Sequence, residues 1–261
     1  MQRKAYVTGT VALLAALLAG CTGGSDEGGG TDNSNPGAAG TATAEAQPGK
    51  YRTLPDACGA VSHGTLDSLL PGIKQLADPI QQDKAYAGDP TLTYDTDRKV
   101  ACRWKVESAD ATDHLLVDFE RVVSYDNAVS DDSEAQQLFA TKETAADLPE
   151  PSATPTASAT PSSSAPATGT PSASASASVS PADLQPRVLS GLGDEAYLDD
   201  QLSGSGPAEQ RTVTVAFRTS NVIVTIEYAE QPAAGGTSPD SKEMQDRARN
   251  LAAQLSGSMG D

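Results

Sequence analysis

Residues 97–106, DRKVACRWKV, place Val100, Cys102, Trp104 and Val106 at alternate positions, with Lys99, Arg103 and Lys105 between them. A period of two is the signature of a strand with one apolar and one polar face. After a polar turn over 107–113, Leu115, Val117 and Phe119 resume the alternation, so the two runs predict an antiparallel hairpin. Further on, Val213, Val215 and Phe217 alternate, as do Val222, Val224, Ile226 and Tyr228, with Thr219-Ser220-Asn221 as the turn between them. A shorter strand is expected over 195–198.

Helical spacing flanks these hairpins. Ser62 can cap a short helix carrying Leu66, Leu69 and Leu70, which Pro71-Gly72 stops. Residues 130–134 (SDDSE) open a helix with Ala135, Leu138, Phe139 and Lys142 three and four apart, and Pro149 closes it. Ser238-Pro239 begins a last helix with Met244, Ala248, Leu251 and Leu255 along one stripe. The expected fold is therefore α+β, an antiparallel sheet with helices packed on one face. Each half holds a hairpin followed by a helix, the pattern an old duplication leaves, although no residue-level repeat accompanies it.

Composition divides the 261 residues. Residues 151–181 contain only Pro, Ala, Ser, Thr, Gly and one Val, so they cannot bury enough apolar surface to offset ordering entropy. The expected organisation is a signal over 1–20, a disordered tether over 21–50 and folded segments over 51–148 and 183–256. A disordered insertion over 149–182 and a tail over 257–261 complete it. The folded segments, 98 and 74 residues long, suit one domain interrupted by an insertion, because loop-closure cost grows only logarithmically. Two domains joined by a stalk are the alternative. The Ser/Thr/Pro mixture accommodates both an O-glycosylated stretch and an unmodified spacer.

The N-terminus reads as an address. Arg3 and Lys4 precede an uncharged run over 5–20 that ends Leu18-Ala19-Gly20-Cys21, a bacterial lipobox. Sixteen residues are short of the roughly 20 a membrane span needs, so a lipoprotein signal is the better reading. Cys21 is the expected lipidation site, placing the chain on the extracytoplasmic side of the cell membrane. Cys58 and Cys102 then remain as an even pair in an oxidising compartment, and a disulfide between them is expected. Closing that loop stabilises by about 4 kcal/mol in the chain-entropy model.

Charge narrows the partners. Acidic residues number 35 against 18 basic ones, a net −17 that becomes −19 once Arg3 and Lys4 leave with the signal. Such a chain repels nucleic acid and anionic lipid surfaces.

Searches for chemistry return little: there is no HExxH, CxxC, GxxxxGK[ST], GxSxG or SxxK. Ser62 beside His63 is better read as a helix cap next to a surface imidazole, and 191–196 (GLGDEA) as a glycine-rich turn launching a strand rather than a dinucleotide fingerprint. Asp95/Asp97, Asp199/Asp200 and the 131–134 cluster read as solvated acidic surface rather than a metal site. No catalytic residue, metal or cofactor is expected. Trp104, Tyr125, Tyr197 and Tyr228 stand either in a ligand cleft on a sheet face, with Trp104 and Tyr228 its leading candidates, or in ordinary core packing.

Several blocks together carry a family resemblance: the lipobox at Cys21, 54–58 (LPDAC), Cys102-Arg103-Trp104, 191–196 (GLGDEA) and 217–224 (FRTSNVIV). In these the chain resembles actinobacterial lipoproteins of the domain-of-unknown-function family number 3558. It departs from them in Ala57, where proline is expected before Cys58, and in its long insertion. The resemblance implies an extracytoplasmic lipoprotein with a Cys58–Cys102 pair and no catalytic residues to carry over. The expected function is a lipid-anchored, non-enzymatic binding or accessory module of the envelope. Its partner would be a small molecule, glycan or envelope protein at the sheet's open face or at a cleft near Trp104 and Tyr228. The alternative is an envelope hydrolase assembled from dispersed residues such as His63, His114, Asp199 and Asp200.

Overall fold

The computed structural model describes residues 46–91, 93–149, 184–206 and 209–260. Cys21 and the 150–183 stretch lie outside the described residues. Helix α1 (His63–Leu69) leads through a 3₁₀ turn (Pro71–Gln75) to α2 (Pro79–Ala87) and a short strand β1 (Asp89–Thr91). The hairpin β2 (Lys99–Glu107) and β3 (Ala111–Arg121) follows, then α3 (Asp131–Ala145). The second segment holds β4 (Arg187–Leu189), β5 (Glu195–Ser203), β6 (Gln210–Thr219), β7 (Val222–Pro232) and α4 (Ser241–Gly260).

Among the described residues seven strands form one antiparallel sheet in the order β1-β2-β3-β7-β6-β5-β4. The two segments meet at β3 and β7, which pair from Ala111 opposite Pro232 to Arg121 opposite Val222. One sheet is thus built from both sides of the low-complexity stretch.

One face carries the main core. Cys102, Trp104, Leu115, Val117, Phe119, Val213, Val215, Phe217, Val224, Ile226 and Tyr228 all point to it, in the register the alternation implies. Leu66, Leu69, Leu70 and Ile73 from α1 and the 3₁₀ turn cover this face together with Met244, Ala248, Leu251 and Leu255 of α4. Each of the leucine, isoleucine and methionine side chains among these, fully buried, contributes about 1.5–3 kcal/mol. Cys58 and Cys102 are disulfide-bonded, tying the segment before α1 to β2.

Helices do not all lie on that face, contrary to the sequence expectation. Helix α3 packs on the opposite side, where Ala135 and Phe139 bury against Tyr197, Ala216 and Ile223. Those three sheet residues alternate with core residues on their own strands, so β5, β6 and β7 are buried on both faces there. The same placement argues against a duplication. A two-fold axis relating antiparallel β3 and β7 runs perpendicular to the sheet and would keep α3 and α4 on one side.

The caps follow the sequence. Ser62 accepts from the Thr65 N–H and Ser130 from the Ser133 N–H. Gly193 adopts φ +58, and a side chain there would run into the Arg218 carbonyl, so the 191–196 stretch is a tight turn feeding β5. Two boundaries move: α4 continues through Gly260, and residues 46–50, assigned by composition to the tether, are strapped to the domain. Gly49 N–H donates to Asp131 Oδ2 (2.9 Å). Asn221, fully buried, accepts from Tyr51 N–H (2.9 Å) and donates to the Tyr51 and Val122 carbonyls.

Candidate functional site

Because α3 spans only part of its face, two rows of outward residues stay open. Along one row the register places Arg103, Leu116, Glu227, Thr214 and Asp199 side by side across β2, β3, β7, β6 and β5. Along the next stand Lys105, His114, Ala229, Thr212 and Gln201. A groove of about 760 Å³ runs over this surface and is bordered by β1. Strand periodicity alone puts these residues there, since each alternates with a core position on its own strand; Leu116 and Ala229 are the apolar members of the two rows.

The groove's electrostatics are mixed. Lys105 pairs with Glu107 at 2.6 Å. Burial, followed by the neighbouring Lys105 ammonium, lowers the His114 pKa, so its imidazole is neutral at physiological pH. Arg103 is exposed and has no hydrogen-bond or ion-pair partner among the described residues. A guanidinium left free offers five donors to a planar anion or to carbonyl groups.

The four aromatic candidates do not form one cleft. Trp104 is 2% exposed and donates its indole N–H to the Tyr86 carbonyl (3.0 Å). Tyr228 is fully buried, and its hydroxyl accepts from Arg247 (3.2 Å). Both belong to the main core. Tyr197 lies beneath α3 against Phe139, their ring centroids 5.6 Å apart. Tyr125 is 87% exposed, with the Arg98 guanidinium 4.9 Å from its ring centroid. Core-facing parity explains the outcome for Trp104 and Tyr228: the face that carries them is the one the helices cover.

Nor do the hydrolase candidates converge. Ser62 is a cap, and His63 stacks on Tyr86 at 4.1 Å between centroids. Asp200 is buried in a network with Arg211 (2.6 Å), Gln245 (2.8 Å) and Ser241 on the helix-covered face. His114 and Asp199 share the open face but sit three strands apart, about 14 Å at the usual strand spacing. Among the described residues no group of three or more His, Cys, Asp or Glu could hold a metal.

One cluster escaped sequence reasoning. Asp113, 2% exposed, faces the core side directly across from Glu230 and near Tyr228 and Arg247. Burial, then the Glu230 charge, pushes its carboxyl up to about 7. Burial also raises Glu230, while Arg247 opposes that shift. In sequence, Asp113 looked like the last residue of a polar turn. Only its register opposite Val106 and Glu230 shows it pointing inward.

The acidic run at the start of α3 has a structural role. Asp131 holds the Gly49 and Ser124 N–H groups, and Asp132 accepts from the Ser220 hydroxyl at 2.6 Å. No family model matches the sequence, and no curated protein is similar to it.

Proposed function

We propose that this chain is a lipid-anchored, extracytoplasmic, non-enzymatic binding or accessory module of the cell envelope, and that its ligand surface is the half of the sheet face left open beside α3. The carrying observation is the Arg103 guanidinium, without a hydrogen-bond or ion-pair partner among the described residues, in a groove of about 760 Å³ that Lys105, His114, Thr212 and Glu227 line together with apolar Leu116 and Ala229. Attachment through Cys21, the extracytoplasmic location and the likeness to family number 3558 rest on the sequence motifs. The ligand is a small molecule, glycan or envelope protein. No cofactor belongs to this reading.

The dispersal of Ser62, His63, His114, Asp199 and Asp200 supports binding over hydrolysis. The hydrolase alternative draws only on the raised Asp113 carboxyl, which lines neither the open-face groove nor the smaller groove beside α2.

Two experiments test the reading. Cys21→Ala should release the full chain from membranes or block its processing, and unchanged retention and mass would refute the anchor. A photo-crosslinking residue at Thr212, on the open face, should give a discrete adduct in the native envelope. The same residue at Val188, exposed on β4 at the far edge of the sheet, should not. Equal, diffuse labelling from both positions would overturn the open-face assignment.

A further inference from the structure

The sheet ends in an incomplete edge. Strand β1 covers β2 only from Ala101 to Arg103. At Gly88 (φ +68) the chain turns away, packed so closely on Trp104 and Cys102 that a side chain there would overlap them. The Ser108 N–H donates to the Ala111 carbonyl (2.9 Å) and the Arg121 N–H to the Arg98 carbonyl (2.7 Å). Even-numbered residues of β2 therefore bond inward to β3, and odd-numbered ones face outward. Pro90, which has no N–H, fits this pattern, since it stands opposite even-numbered Cys102. The N–H and C=O groups of Lys105 and Glu107 consequently point outward, and no described backbone group pairs with them.

Beside this edge lies a second groove, about 440 Å³, between β2 and α2. Half-buried Leu76 and Ala85 floor it, and Lys84, Arg103 and Lys105 rim it. Lys84, like Arg103, has no ion-pair partner among the described residues. Asp89 and Glu107 line the groove too, and Glu107 pairs with Lys105, so against a chain of net charge −17 the lining carries a net +1, with Lys84 and Arg103 the cations left without an ion pair among the described residues. An exposed edge with unpaired backbone groups and pockets for alternate side chains is the arrangement used in strand addition. We infer that the free edge of β2 beside α2 binds an acidic, extended polypeptide segment as an added strand. Backbone bonds to Lys105 and Glu107 supply register, the Leu76/Ala85 floor takes one side chain, and Lys84 and Arg103 select carboxylates. This site adjoins the open-face groove, with which it shares Asp89, Arg103, Trp104 and Lys105, whereas Lys84 and Glu107 line the α2 side alone.

The test uses the full chain and three ten-residue peptides with Val and Thr at alternate positions and Glu, Gln or Lys between them. Fluorescence anisotropy should rank them Glu over Gln over Lys. Lys84→Gln should weaken the Glu peptide about threefold. Glu107→Pro removes only an outward N–H and should weaken it about tenfold relative to Glu107→Gln. In the wild-type chain, the bound Glu peptide should slow hydrogen exchange at the Lys105 and Glu107 amides. Equal affinity for the Glu and Lys peptides, or unchanged exchange at those two amides under saturating peptide, overturns the inference. Neither result bears on the anchor or the open face.

Discussion

Replacing Asp113 with asparagine should make the protein more stable at alkaline pH. Asp113 is buried on the helix-covered face, and its carboxyl has been pushed from the ordinary 3.8 up to about 7 by burial and by Glu230. A raised carboxyl favours the folded state fully below its unfolded pKa. That contribution is lost as pH climbs from about 4 through about 7, and is then gone. Three units at 1.36 kcal/mol each set an upper figure of about 4 kcal/mol. Asparagine resembles the protonated acid in shape and cannot ionise. Urea unfolding of the disulfide-intact full chain at pH 5 and pH 8 measures the difference directly. Asp113→Asn should exceed wild type by about 2 kcal/mol at pH 5, where the unfolded carboxyl is already ionised, and by up to about 4 kcal/mol at pH 8. Equal pH slopes for the two proteins, or a variant weaker than wild type at pH 8, would refute the reasoning.

Asn221→Ala leaves the Tyr51 N–H and the Val122 carbonyl without their side-chain partner; it should cost about 2–3 kcal/mol and expose residues 46–52 to limited proteolysis. Asp200→Ala strands the Arg211 guanidinium in a buried network and should cost about 3–5 kcal/mol, read as a lowered urea midpoint with an unchanged slope.

Much of the fold was legible because strand parity leaves a mark on every second residue. The alternation at 97–106 and 213–228 named the main core face, and Ser62 and Ser130 announced their helices by their capping chemistry. The second helical face was misjudged although a signal existed. Val222-Ile223-Val224 and Ala216-Phe217 are consecutive apolar residues, the mark of a strand buried on both sides. The elements that went unforeseen leave weaker marks. Helix α2 buries none of its residues and so has no apolar stripe, and β1 is three residues long with a central proline. Asn221 looked like a turn residue, and its burial depends on a strap 170 positions away.

The candidate site was legible only in part. Arg103, Lys105 and Glu227 are recognisable as polar alternates of core positions, but which of the outward rows α3 covers is a matter of tertiary packing. Trp104 and Tyr228 drew attention as large aromatics, yet their parity with Cys102 and Ile226 assigned them to the core. Asp113 stayed hidden because the β2–β3 turn is shorter than the polar composition suggested, so that β3 starts at Ala111.

If the open sheet face binds a ligand, Arg103 is its most direct handle. Wild-type full chain, Arg103→Glu and Lys84→Gln, purified in parallel from native membranes, can be compared by native mass spectrometry. A discrete bound species should accompany the wild-type chain, be lost from Arg103→Glu and persist on Lys84→Gln, whose residue lines only the edge groove, with all three proteins unfolding at the same urea concentration. An empty wild-type chain, or the same species retained by Arg103→Glu or lost from Lys84→Gln as well, would show that the open face is not the ligand surface.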